Sequence, residues 1–481
     1  MIVDFLYRSV RNETLHIRVF VCCLTIACAT PTCFAEGSAR PFGAAFRALF
    51  GDQLESEYNI AVFGYAHVTA ARSNRDIAKT QLPQGRGRGV QPQGGLVQDE
   101  GLNLQHVALF VCKGAGCPPG HLFEPNRNVL SRVTPLPGPR GEAVIVDWGV
   151  NAHYGEDAVF WSTKGFDDWA WNARDKNRLA LTEFFLDVYL PIGAGASVLI
   201  GSWHSSLGLE IGKALVPPNM FSSRTYAFIA SPAKHVGILT QFKLPLDPAW
   251  GHASLGFGIT SDWNSIDFGS GAGGPSFMFT GRWRSPDMRT WLDIETIYGN
   301  GEDDFGDSKV IDGTAFPLGG GSQYLALSSS DAYLDRFVGY FTATHAANSR
   351  LLLLFESVYG YQQGGDLSPL PFAITRDSAF YGANAGFRYR LFDRVHVGTR
   401  LEWFTDENAA NVLWGGVGAT GGDVYALTMS LGWEPTPHLL IRPELKYDVY
   451  DGDGHLFAAG ANGLARRDTQ LLGVLNLEFR F

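Results

Sequence analysis

The chain has 481 residues, 18% of them charged and 13% aromatic, with 57 glycines, a mean hydropathy of −0.03 and a net charge of −10. The body of the chain offers no run of the ~20 apolar residues that a spanning helix needs, and the acidic balance argues against nucleic acid as a partner. Neither observation excludes a membrane β-barrel, whose strands alternate lipid-facing and lumen-facing residues and average to near-neutral hydropathy.

Residues 1–35 read as a secretion signal. Arg8, Arg11 and Arg18 lead into an apolar run from Val19 to Ala29, and Cys33-Phe34-Ala35 supplies small residues before a cut after Ala35. Asp4 and Glu13 interrupt the basic region, so the true start could lie downstream of Met1. Lipidation at Cys28 is the poorer reading, because Leu24-Thr25-Ile26-Ala27 matches the small-residue requirement badly. Removing 1–35, with three Arg against one Asp and one Glu, leaves a net charge of about −11. It also removes Cys22, Cys23, Cys28 and Cys33. Cys112 and Cys117 then remain on a Gly-rich loop of an exported chain, where a local disulfide is expected. Two ligands with no nearby His make a poor metal site.

Residues 36–57 form a leader. Phe42, Phe46, Leu49 and Phe50 fall at helical spacing, which suits a short amphipathic helix at the membrane surface or the barrel mouth. A leader without structure is the alternative reading.

From residue 58 the period changes to two. Alternating segments run over 58–71, 102–112, 142–154, 178–190, 194–206, 234–245, 251–263, 273–285, 290–300, 335–346, 350–361, 378–390, 394–406, 423–434, 438–450 and 468–481. That is about 16 strands, within a range of 14 to 18, of the length a tilted membrane strand requires. From the fourth segment on, even-to-odd connections are short, such as Pro191-Ile192-Gly193, Ala347-Asn348-Ser349 and Pro435-Thr436-Pro437. The odd-to-even ones are long: 207–233, 264–272, 301–334, 362–377, 407–422 and 451–467. Short turns on the periplasmic rim and long extracellular loops are the habit of outer-membrane barrels. The link 113–141 breaks the pattern, being long where a turn is expected, so either a hairpin is hidden there or the loop folds inward.

The faces of the strands carry the charge. Segment 273–285 sets Arg282 and Arg284 against Phe277, Phe279 and Trp283; 290–300 sets Asp293 and Glu295 against Leu292, Ile294 and Tyr298. In 378–390 the polar face carries Arg388 and Arg390, and in 394–406 it carries His396, Arg400 and Glu402. In 438–450 it carries Arg442, Glu444, Lys446 and Asp448. A charge at the lipid midplane costs ~2–4 kcal/mol, so this face is expected to line the lumen. There the basic side chains would form a stripe facing the acidic ones and set a transverse field. A soluble sandwich would reverse the faces, but it leaves Trp403, Tyr425, Trp433, Tyr447 and Phe481 near strand ends unexplained, where a barrel needs interfacial aromatics. The last strand ends on Phe481, and its even positions close on Asn476, Glu478 and Arg480.

Catalytic patterns are weak, and no enzyme activity, cofactor or metal is expected. Gly306-Asp307-Ser308 sits in an acidic loop and is followed by Lys309. Asp451-Gly452-Asp453-Gly454 lacks the later Glu of a calcium loop and suits a turn. His204, His235 and His396 are far apart in sequence and make no readable ligand set.

Over residues 175–481 the chain resembles the outer-membrane β-barrel porins of the OmpL-like, porin-2 type. The likeness rests on Leu181-Thr182-Glu183 through Asp187-Val188-Tyr189-Leu190-Pro191, the strand around Gly201, and Ser222 to Tyr226 before Lys234-His235-Val236-Gly237. It continues through Gly274 to Thr280, Ser285-Pro286-Asp287, Gly299-Asn300, Arg400-Leu401-Glu402 and Arg442-Pro443-Glu444-Leu445. The resemblance implies an all-β, transmembrane, antiparallel up-and-down barrel over 58–481 and no catalytic residues. The expected function is passive diffusion of small polar solutes across the outer membrane, with loop 207–233 folded in as a constriction. The expected partners are outer-membrane lipid, the solutes, and the barrel-assembly machinery acting on the strand that ends in Phe481. A second reading on the same fold is a dedicated channel for a polymer such as a polysaccharide.

Overall fold

A computed structural model describes residues 44–74, 101–113, 142–161, 177–210, 221–232, 234–261, 275–300, 335–363, 377–408, 421–453, 455–458 and 465–481. The signal region and the Gly306-Asp307-Ser308 loop lie outside these residues.

Two short helices precede the sheet, α1 (Ala44–Phe50) and α2 (Gln53–Tyr58). α1 covers Phe46, Leu49 and Phe50 of the run read for helical spacing, and α2 follows beyond it. Arg47 ties α1 to α2 through Glu55 at 3.1 Å, and the Phe46 ring lies 6.4 Å from that of Phe481 at the end of the last strand. Asn59, with φ at 54°, turns the chain out of α2, a left-handed conformation that Asn tolerates better than most residues.

The strands are β1 (Ile60–Ser73), β2 (Gly101–Lys113), β3 (Ile145–Gly155), β4 (Arg178–Leu190), β5 (Ala196–His204), β6 (Lys234–Lys243), β7 (His252–Thr260), β8 (Ser276–Arg284), β9 (Thr290–Asn300), β10 (Asp335–Ala346), β11 (Leu351–Gln362), β12 (Ser378–Phe392), β13 (Val395–Asp406), β14 (Gly422–Thr436), β15 (Leu439–Gly452), β16 (Phe457–Ala458), β17 (Ala465–Arg467) and β18 (Thr469–Arg480). Sixteen of them, β1–β15 and β18, pair in chain order into a closed antiparallel barrel, while β16 and β17 make a separate two-stranded sheet. Closure leaves no unpaired strand edge for lipid to meet, which is what allows β structure to span a bilayer.

The seam joins β1 to β18 from Tyr65↔Arg480 to Ser73↔Leu472. Its last rung is reciprocal: Gly64 N–H donates to the Phe481 carbonyl, and Phe481 N–H to that of Gly64, both at 2.9 Å. A β-carbon at Gly64 would run into the Phe481 ring and the Ala108 carbonyl, so only glycine lets the ring lie over the seam.

β2 pairs directly with β3, from Val107↔Tyr154 to Lys113↔Trp148, so no hairpin is inserted between them in the barrel wall. The link 114–141 itself lies outside the described residues. Strands end where polar and turn residues break the alternation. The connections 191–195, 244–251, 285–289, 347–350, 393–394 and 437–438 stay short at one rim. The long ones, among them 205–233 and 301–334, join strand ends at the other.

Alternation sorts the side chains. On β13 to β15, Leu401, Met429 and Leu445 face outward at 59%, 55% and 57% exposure, while their neighbours Arg400, Glu402, Thr428, Glu444 and Lys446 are buried inside. Outward aromatics form a row on cross-strand partners, Tyr359↔Tyr381 and Trp403↔Tyr425, near the long-loop rim. Trp250, Phe392, Trp433 and Phe481 lie toward the other rim. Two such belts match the two lipid–water interfaces of a membrane barrel.

Candidate functional site in the barrel interior

The described parts of the segment between β5 and β6 lie against inward side chains of the barrel wall. Of it, 205–210 and 221–232 are described, including the short helix α3 (Tyr226–Ile229). A backbone placed in the lumen must find partners for its amides, and the wall supplies carboxylates. Glu444 on β15 accepts from Ser222 N–H at 2.7 Å and Ser223 N–H at 2.8 Å. Glu402 on β13 accepts from Tyr226 N–H at 2.6 Å and Ala227 N–H at 3.4 Å, at the first turn of α3. Thr225 caps α3 by accepting from Phe228 N–H. Glu356 on β11 accepts from Leu209 N–H, and Tyr340 on β10 donates its hydroxyl to the Ala227 carbonyl.

Cations complete the attachment. Arg400 pairs with Glu210 and stacks over Phe221 at 4.6 Å. Arg442 donates to Ser222 Oγ at 3.0 Å and to Asn476 at 2.9 Å. Lys446 donates to the Arg224 carbonyl at 3.1 Å, pairs with Asp448 at 3.2 Å and sits 4.6 Å from the Tyr226 ring centroid. Apolar contact adds to this, with Leu207, Tyr226, Ala227 and Phe228 in one cluster with Tyr340, Phe380 and Phe404 from the wall.

The residues expected to line the lumen are all on the inward face, but they divide into two groups. Arg400, Glu402, Arg442, Glu444 and Lys446 hold the in-folded segment. Arg282 and Arg284 instead pair along the wall, with Glu295 at 2.7 Å and Asp293 at 2.6 Å on the adjacent β9, and Arg284 also stacks over Trp291 at 4.1 Å. Adjacent strands bring such side chains within reach at once, so these charges neutralise as neighbours rather than as two stripes across the lumen. Asp448 pairs with Lys446 on its own strand and accepts from Gln470 at 3.2 Å. Arg388 sits 3.0 Å from His396, and Arg390 is half-buried near the turn after β12. Cys112 is disulfide-bonded and buried among Phe63, Tyr65 and Phe110; Cys117, its expected partner, lies outside the described residues.

Residues 138–481 match the family described as "Putative beta-barrel porin-2, OmpL-like". The chain belongs to this family. The porin is similar in fold to the anion-selective porin from Comamonas acidovorans, at 10% identity and a TM-score of 0.50, over 88% of this chain and 99% of that one. The outer-membrane channel DcaP of Acinetobacter baumannii matches at 10% identity and a TM-score of 0.48, over 88% and 97%. Salmonella typhi OmpF, in complex with daunomycin, matches at 9% and 0.47, also over 88% and 97%. No curated protein matches the chain. The porin is an outer-membrane β-barrel of channel type.

Several inward residues carry no signal in a single strand. Glu356 and the segment's own Glu210 and Ser222 to Ala227 meet their partners only through the fold. The same holds for His67, His106 and His153, one on each of β1, β2 and β3. A lone histidine in an alternating strand reads as ordinary wall, and it is strand register that brings these three together. Where a turn over 451–454 is expected, Asp451 and Gly452 instead extend β15 opposite Asp423 and Gly422, and the strand ends just before Asp453. Among the described residues no group of side chains is arranged to hold a metal ion.

Proposed function

We propose that this porin is a channel for passive diffusion of small polar solutes, with the β5–β6 segment as its constriction. One observation carries the reading: Glu402 and Glu444, on neighbouring parts of the wall, hold backbone amides of that segment inside the lumen. A segment fixed in this way narrows a water-filled barrel without sealing it along its whole length, and it leaves solutes to be sorted by size and by the paired charges beside it. The short-turn rim faces the periplasm, and the signal is cleaved after Ala35. The strand ending in Phe481 is the part offered to the assembly machinery. Reconstitution of the refolded mature chain in planar bilayers tests the reading. Stepwise conductance with weak ion selectivity, and swelling of liposomes in small sugars, are expected. Insertion of heat-modifiable, folded barrel without conductance at any pH would overturn it.

A further inference from the structure

Four inward histidines form a continuous row across the first five strands. The rings of His67 on β1 and His106 on β2 stack at 4.8 Å and 26°, and those of His106 and His153 on β3 at 4.9 Å and 9°. His204, the last residue of β5, follows at 6.1 Å from His153. All four are buried.

Three of the four have a carboxylate. His67 Nε2 is 3.0 Å from Glu478, His106 Nδ1 is 3.1 Å from Asp157, and His204 Nδ1 is 2.9 Å from Glu183. His153, in the interior of the row, has neither ring nitrogen hydrogen-bonded. The other groups facing the row are Tyr65 on β1, Arg442 on β15, Lys234 on β6, Arg224 from the in-folded segment and, through Glu478 at 2.6 Å, Arg480 on β18. Apart from the three carboxylates and Tyr65 these are cations, so a proton on His153 finds no compensation among them.

The row ends at the root of the constriction. His204 also donates its backbone N–H to Glu183 at 3.3 Å, and the next residue, Ser205, begins the in-folded segment. On the return side, His235 of β6 holds the Ser205 hydroxyl at 2.9 Å from its Nε2. Imidazoles therefore tie the root of the segment, and carboxylates tie its body.

We infer that the row His67–His106–His153–His204 is a proton-operated latch on the constriction segment, closed at neutral pH and released in acid. The inference rests on the channel reading above. Neutral rings stack without repulsion. A first proton is compensated at His67, His106 or His204 by its carboxylate. A further proton places like charges about 5 Å apart in a buried site, an arrangement that the stack relieves by opening toward water. Acid acts in the same direction on the body of the segment, since Glu402 and Glu444 lose acceptor strength when protonated. Release requires more than one proton, so the response is steeper than a single titration.

The test is single-channel conductance of the refolded mature porin between pH 8 and pH 4, with heat-modifiable mobility recorded at each pH. Conductance is expected to rise reversibly on the acid side of this range, with a slope of about two protons. In His153→Gln the slope should fall to about one, and in His106→Gln, which interrupts the stack elsewhere, it should fall likewise. Conductance that is constant across this range in folded wild-type barrel overturns the latch and leaves the channel intact. So does a transition that both variants reproduce. Absence of conductance at every pH overturns both readings.

Discussion

At the scale of single residues, the turn between β8 and β9 shows how a rim is set. Asp287 accepts from the Ser285 hydroxyl at 2.5 Å and from Arg289 N–H at 3.1 Å, and Met288 takes φ of 59°. The Ser285 hydroxyl, then the Arg289 amide, hold the Asp287 carboxyl below its ordinary range. A carboxylate depressed in the folded state stabilises above its unfolded value, near 3.9, and that contribution is lost as pH falls through the depressed value. Asp287→Ala should therefore lower the urea midpoint of unfolding at pH 7 and lower it less near pH 2. An equal loss at both pH values would show that the turn needs only the shape of the side chain. The turn itself is legible in Ser285-Pro286-Asp287, where a turn-former and an Asx residue follow each other. The left-handed Met288 is not legible, because nothing in a methionine announces that conformation.

At the scale of elements, the β5–β6 segment is held by side chains from five strands, β6, β10, β11, β13 and β15. Each hydrogen bond to a charged acceptor contributes about 1.5–3 kcal/mol net. Glu402→Gln with Glu444→Gln weakens two such anchorages together. The double variant should spend more than tenfold longer in its larger-conductance state, since ~1.4 kcal/mol corresponds to a factor of ten. Current recordings at pH 8, away from the proposed acid response, separate the two. Much of this element was open to reading before the structure. The alternation Arg442, Glu444, Lys446, Asp448 marks an inward wall, and the length of 207–233 marks a loop with somewhere to go. What no local pattern carries is the match between Glu444 and Ser222 or between Arg400 and Glu210. Those contacts span about half the chain and depend on the register of every strand between them. The histidine row was invisible for the same reason.

At the scale of the whole molecule, the wall is a sorted surface, greasy outward and ionised inward. Leu445 and Lys446 are adjacent, yet the first is 57% exposed and the second fully buried. Replacing Leu445 by Arg puts a charge toward the acyl chains and should cost ~2–4 kcal/mol in refolding into lipid vesicles. Were this outward face met by water instead of lipid, the replacement would be nearly neutral, so an unchanged refolding midpoint would contradict the membrane orientation. This large-scale arrangement was the most readable part of the chain, because period-two patterning and rim asymmetry recur many times. The first three strands were harder, since their connections give no alternation of short and long.

The roots of the constriction lie on neighbouring strands that remain paired without it, from Ala196↔Phe242 to His204↔Lys234. Wall and aperture are thus separate parts. The cylinder keeps its continuity whatever loops inward between those two staves, so the bore can be re-cut by exchanging one insert while the casing is left alone.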